Sequence, residues 1–232
     1  PFTYNTFENR QVFTSYSNFL PLPDKEKTLA LFPFICYSKN RNYPSPIRIR
    51  KGSAGMKDLK SICQLAVVQA ASVMFDKAAC VEKAVRLIQE AAGQQAELIV
   101  FPELFIPGYP YGMTFGFTVG SREAGGRKDW STYYDNSILI PGPETDQLSQ
   151  AAAKAHAYVS IGVSEREPHT ATLYNSNIIF SPTGELLTRH RKLKPTGAER
   201  MVWGDANQDY FPITDTPWGP MASMICWESY MP

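Results

Sequence analysis

Gln64-Leu65-Ala66-Val67-Val68-Gln69-Ala70 and Leu98-Ile99-Val100-Phe101-Pro102-Glu103 are short apolar runs on either side of a segment with helical spacing, and they decide the fold class. Each run has the length of a buried strand rather than a helix. Between them Val81, Ala84, Val85, Ile88 and Ala92 recur on one helical face; Asp76 stands where an N-cap belongs, and Gly93 suits the position just past the end. Strand, helix, strand over this distance is a βαβ unit. It places the two strands side by side and parallel, and brings Glu103 out at the carboxyl edge of the sheet.

Working outward, Ser137-Ile138-Leu139-Ile140 reads as a further strand closed by Pro141-Gly142-Pro143. Thr145 can cap a second helix bearing Leu148, Ala151, Ala152 and Ala155, after which Tyr158 to Ser164 returns as a strand. Asn175 to Phe180 and Leu186 to Arg191 flank Ser181-Pro182-Thr183-Gly184, a hairpin turn in which Pro fixes one dihedral and Gly tolerates a positive one. Trp218-Gly219-Pro220 leads into a last strand, Met221 to Ile225, with Cys226 at its carboxyl end. Ser121 to Trp130, rich in Gly and charge, reads as a surface loop or subunit contact. The class is α/β with a mixed, many-stranded sheet.

The chain has 232 residues, 44% of them apolar, enough for one medium-sized domain with appended material. Nothing approaches the roughly 18 consecutive apolar residues of a membrane span, and no signal-peptide pattern opens the chain. A soluble cytoplasmic protein is expected. The four cysteines, Cys36, Cys63, Cys80 and Cys226, lack metal-ligand spacing, so neither zinc nor a disulfide framework is indicated, and no metal is expected. The net charge of +1 hides an asymmetry: residues 1–60 hold 10 Lys+Arg against 4 Asp+Glu, giving +6, and residues 61–232 hold 13 against 18, giving −5. Such a basic arm could attract nucleic acid or an acidic membrane surface. It carries no RNA-binding motif, however, so neither partner is expected. The arm contains Pro1, Pro21, Pro23, Pro33, Pro44 and Pro46 and shows no helical or alternating period. Residues 1–55 are therefore read as an irregular basic extension, or as sequence outside the natural coding frame, and residues 56–232 as the domain proper, starting near Met56.

Three segments carry candidate chemistry. Glu103 lies in Phe-Pro-Glu-Leu-Phe-Ile-Pro-Gly-Tyr-Pro, Lys192 in His-Arg-Lys-Leu-Lys-Pro-Thr, and Cys226 in Ile-Cys-Trp-Glu-Ser-Tyr-Met-Pro. A lone Cys after an apolar run is more often a small core residue. Glu103 could equally be a loop carboxylate, and Lys192 one cation among Arg189, Arg191 and Lys194 on a solvated hairpin. In order and in long contexts, however, the three segments resemble the Glu-Lys-Cys segments of the nitrilase branch of the carbon–nitrogen hydrolases, over about Ile62 to Pro232. That resemblance implies a nitrilase-like αββα sandwich, no cofactor, and a homodimer or larger homo-oligomer. It also gives Glu199, in Gly197-Ala198-Glu199-Arg200, the place of the family's second active-site glutamate.

The chemistry suits these side chains. A nitrile carbon yields to a strong nucleophile, and near neutral pH the thiolate is the side chain that supplies one. Glu103, expected to be desolvated, can take the thiol proton and later activate water. Lys192 can stabilise the charge that builds on the substrate nitrogen and then on oxygen. His190 is the rival base, since it alternates with Lys192 along the strand. Glu103 is preferred because it ends a buried parallel strand, whereas His190 is expected on an exposed hairpin. Cys63 and Cys80 are read as structural. Tyr109, Trp227 and Glu228 are the expected substrate contacts, in a pocket walled by the aromatic stretch Tyr109 to Phe117 and suited to an aryl or arylaliphatic nitrile. An amidase or a cyanide-hydrating enzyme would use the same triad, and an inactive chain acting through interaction alone is a further alternative.

Around Cys226 the chain has Ala222-Ser223 where the family pattern usually has Gly-Ala or Gly-Gly, and Ser229 where Asn or His is common. Because the sequence stops at Pro232, the sandwich is expected to be incomplete at the C-terminus. As a whole polypeptide, such a chain is expected to be unstable or inactive.

Overall fold

The computed structural model describes residues 59–120, 123–207 and 211–230, and the backbone of 27–35. Strands β1 (Lys27–Ile35), β2 (Ile62–Ala70), β3 (Leu98–Val100), β4 (Tyr158–Arg166), β5 (Leu173–Phe180) and β6 (Leu186–Arg191) form one sheet in sequential order. As the βαβ reading requires, β2, β3 and β4 run parallel. The remaining neighbours are antiparallel. Helices α1 (Lys77–Gly93), α2 (Ala124–Asn136) and α3 (Pro143–Ala155) complete the main body, and β7 (Thr214–Thr216) and β8 (Gly219–Met221) form a second, two-stranded sheet whose turn reaches the start of β2, the Trp218 indole donating to the Ile62 carbonyl at 2.9 Å.

Helix α1 starts where Asp76 accepts a hydrogen bond from the Ala79 amide at 2.9 Å, which satisfies one of the donors left over at a helix start. Its buried side, Cys80, Val81, Ala84, Leu87, Ile88 and Ala91, joins Leu148, Ala151 and Ala152 of α3 in one core. That core lies on a single face of the sheet, built from Ile99, Val159, Ile161, Val163, Ile178 and Phe180. The period-2 alternation of strands sends Leu98, Val100, Ser160, Gly162, Asn175, Asn177 and Ile179 to the opposite face, where they line a cavity. One face of the sheet thus makes the core and the other the candidate site.

Several expectations change. A strand at Ser137–Ile140 is reduced to one bridge, Ile138 with Glu165, because the six residues between α2 and α3 serve mainly to carry Ile138 and Ile140 into the core. The glycine-rich stretch read as a surface loop is largely helix α2. Gly126 lies so close to the Phe115 and Gly116 backbone that a side chain there would collide, and Tyr133 anchors the same helix with a 2.9 Å bond from its hydroxyl to the Gly108 carbonyl. Thr145 acts from inside the first turn of α3, accepting from the Gly142 amide at 2.9 Å, rather than as the N-cap itself. Part of the arm read as irregular, Lys27–Ile35, pairs antiparallel with β2; the other residues of 1–55 lie outside the described residues. An edge position tolerates Pro33, which has no amide hydrogen to give to the ladder. The expected strand before Cys226 stops at Met221, and residues 222–225 face the sheet across the cavity without pairing to a strand among the described residues.

Candidate active site

Glu103 lies just past β3, after Phe101 and Pro102, on a tight loop in which Leu104 takes a positive φ of 51° and is fully buried. The loop can sit there because position 162 of β4 is glycine: a Cβ at Gly162 would lie 2.5 Å from both the Leu104 nitrogen and the Pro102 oxygen, and 2.7 Å from the Glu103 Cα. Lys192 comes one residue after β6, its backbone amide held by the Asn175 carbonyl at 2.7 Å. Its side chain is 2% exposed, and its ammonium donates to Glu103 Oε1 at 3.0 Å and to Glu199 Oε2 at 2.7 Å. Glu199, in a short 3-10 turn, is fixed in its turn by the Thr196 amide at 2.8 Å and the Tyr109 hydroxyl at 2.8 Å.

Charge follows from this geometry. Burial favours the neutral amine at Lys192, but the hydrogen bonds and charges of Glu199 and Glu103 outweigh it, so the pKa lies above its ordinary value and the group stays an ammonium. Burial pushes Glu199 upward as well; the bonds from Lys192, Thr196 and Tyr109 win and hold it below the usual carboxylate range. The Tyr109 hydroxyl, desolvated and donating to Glu199, is raised and remains protonated. Glu103, Lys192, Glu199 and Tyr109 are therefore one connected cluster, in which a single ammonium is shared by two carboxylates.

Cys226 opens a 3-10 turn, exposed and with a positive φ of 58°, a backbone conformation that a non-glycine residue holds only when its surroundings impose it. Glu228 supplies that constraint. Buried to 3% exposure, it accepts from the Ile225 amide at 2.7 Å and the Leu193 amide at 2.7 Å, and pairs with His190 Nε2 at 2.7 Å. One carboxylate thus ties the residue before the thiol to the residue after Lys192. Burial raises its pKa, but His190 and the two amides lower it further, leaving it below the ordinary value. Cys226 and Glu103 line the same cavity of about 400 Å³, together with Asn175, Asn177, Ser223 and Ile225. Among the described residues the thiol makes no hydrogen bond, so the structure brings sulfur and carboxylate to one hollow without direct contact.

Not every expectation about the site survives. Glu228 was expected against substrate; it is absent from the cavity wall and spends both oxygens on the protein itself. Trp227 is 61% exposed, packs on Tyr230 and does not line the cavity. Tyr109 is likewise off that wall and holds Glu199 instead. His190, expected to be exposed, is fully buried against Glu228 and the Phe211 ring, because the sheet edge there is covered by the segments around Phe211 and Ile225. Asn175 and Ser223 were missed. Both line the cavity, and both have a buried oxygen without a hydrogen-bond partner among the described residues. The signal for Asn175 was present: Asn175 and Asn177 fall on one face of a strand whose other face carries Ile178 and Phe180. Among the described residues no group of three His, Cys, Asp or Glu side chains is placed to hold a metal ion, and no helix is long and apolar enough to cross a membrane.

Comparison with known proteins shows what the chain is similar to. The family described as carbon–nitrogen hydrolase matches residues 64–232. An aliphatic nitrilase of Sinorhizobium fredii is 48% identical over 167 residues, 72% of this chain and 53% of that protein. A bifunctional nitrilase/nitrile hydratase of Nicotiana tabacum is 44% identical over 166 residues, covering 72% and 47%. Nitrilase 2 of Arabidopsis thaliana is 42% identical over 172 residues, covering 74% and 50%. The chain spans about half the length of these curated relatives. Among solved structures, Nit3 of Saccharomyces cerevisiae, a member of branch 10 of the nitrilase superfamily, superposes with a TM-score of 0.56 at 24% identity, over 77% of this chain and 60% of that one. A mutant of the Nesterenkonia amidase from the nitrilase superfamily gives 0.54 at 15% identity, over 72% and 56%.

Proposed function

The chain belongs to the carbon–nitrogen hydrolase family, and from that membership we propose that it carries the catalytic machinery of a nitrilase, converting a nitrile and two waters to a carboxylic acid and ammonia. The observation that carries the reading is the buried ammonium of Lys192, held by Glu103 and Glu199 beside the cavity that Glu103 shares with Cys226. Glu103 takes the thiol proton, the Cys226 sulfur adds to the nitrile carbon, and Glu103 passes that proton to the nitrile nitrogen, which gives a thioimidate and restores the carboxylate. Lys192, kept positive by its two carboxylates, stabilises the charge that develops on nitrogen. Water activated by Glu103 adds to the same carbon, and the tetrahedral adduct expels ammonia to leave a thioester. A second water then releases the acid and restores the thiol. Glu199, fixed by Thr196 and Tyr109, keeps Lys192 aimed.

Expulsion of the thiolate in place of ammonia from that adduct would yield an amide. The relative from Nicotiana tabacum, whose name joins nitrilase and nitrile hydratase, favours this as a side product. Cys63, Cys80 and Cys226 form no disulfide among the described residues, which suits a cytoplasmic setting. The test is a panel of aliphatic and arylaliphatic nitriles given to the full protein, with acid, amide and ammonia measured. Acid with ammonia is expected as the main product, and Cys226→Ala should lower turnover by about 10³-fold or more. Amide alone, or turnover that survives Cys226→Ala, would refute the proposal.

A further inference from the structure

Asn175 stands near the start of β5, 1% exposed, on the face of the sheet that lines the cavity. Its Nδ2 donates to Glu103 Oε1 at 2.6 Å, the same oxygen that Lys192 reaches at 3.0 Å. Glu103 Oε2 has no hydrogen bond among the described residues. The amide also leaves its own Oδ1 buried and without a partner. An unmet buried acceptor costs about 1–3 kcal/mol, so something must favour this orientation over the alternatives. Turning the amide over would set Oδ1 against the Glu103 carboxylate, so the carboxylate imposes the orientation and the unmet oxygen is its consequence. The Asn175 carbonyl, meanwhile, holds the Lys192 amide, so one residue registers both the base and the cation.

We propose that Asn175 is a positioning residue that commits Glu103 Oε1 to two donors and leaves Oε2 as the oxygen that takes the Cys226 proton and later activates water. This deepens the nitrilase reading and rests on it. Without the Asn175 donor the carboxylate can rotate, both oxygens compete for Lys192, and the lone pair facing the cavity is no longer fixed.

Asn175→Asp in the full protein keeps the shape and removes the donor. Two neighbouring carboxylates share a proton, so the acid limb of the pH profile of kcat/KM for nitrile hydrolysis should move upward by about one unit or more. Alkylation of Cys226 by iodoacetamide, followed by peptide mass, needs no nitrile turnover, and its pH midpoint should move the same way. Asn175→Ala supplies a second variant should the first not fold: kcat should fall about tenfold to a hundredfold while KM changes less than about threefold. An unshifted alkylation midpoint in Asn175→Asp, or a wild-type kcat in Asn175→Ala, overturns the proposal. A shifted alkylation midpoint in a protein that hydrolyses no nitrile overturns the nitrilase reading and leaves the positioning of Glu103 standing.

Discussion

At the scale of single residues, two glutamates of the same type do opposite work because their partners differ. Glu199 meets an ammonium, an amide and a phenol, and so serves the charge at Lys192. Glu228 meets two backbone amides and a buried imidazole, and so serves the shape of the chain around Cys226. Its pKa lies below the ordinary 4.5, so the stabilisation it gives is complete above that value and is lost as pH falls through the lower folded-state value. Glu228→Gln keeps the volume but replaces a charged acceptor of three bonds, and should cost about 2–3 kcal/mol at pH 7. Melting curves recorded from pH 7 down to pH 3 should show that penalty shrinking as pH drops. A penalty that is constant across the range would mean that the charge of Glu228 contributes nothing. In sequence, a carboxylate two residues from Cys226 reads the same whether it faces substrate or the protein's own amides.

At the scale of elements, the strands and helices legible in advance were those whose periodicity is decided locally. Helix α1, with its Asp76 cap, and the β5–β6 hairpin, whose Gly184 has a φ of 85°, follow from spacing and turn chemistry. What escaped was set by contacts distant in sequence. Helix α2 depends on Gly126 fitting against Phe115 and on Tyr133 reaching Gly108, and residues 222–225, before Cys226, pair with no strand among the described residues. The same logic governs the Glu103 loop, which needs glycine at 162. Gly162→Ala should push the loop away from β4, destabilise the protein by about 1–3 kcal/mol, and lower activity more than stability alone explains. Denaturant titration alongside kcat/KM checks this; wild-type values for both would show that the loop gives way without consequence.

At the scale of the whole molecule, the sheet divides the labour: one face packs α1 and α3 into the core, and the other carries Asn175, Asn177 and Gly162 toward the cavity that Glu103 and Cys226 line. The α/β class and the parallel strands were readable because they rest on strongly patterned segments, and Glu103, Lys192 and Cys226 drew notice because each follows such a segment. The separation between the thiol and the Glu103–Lys192 pair was not readable, because it is set by how residues 222–230 lie on the sheet rather than by any local pattern. The account stands or falls on the thiol. Brief incubation of the full protein with a nitrile substrate, acid quench and peptide mass mapping measure it directly. The account predicts a substrate-derived thioimidate or thioester on Cys226 and none on Cys63 or Cys80; nitrile turnover with Cys226 unmodified throughout would contradict it.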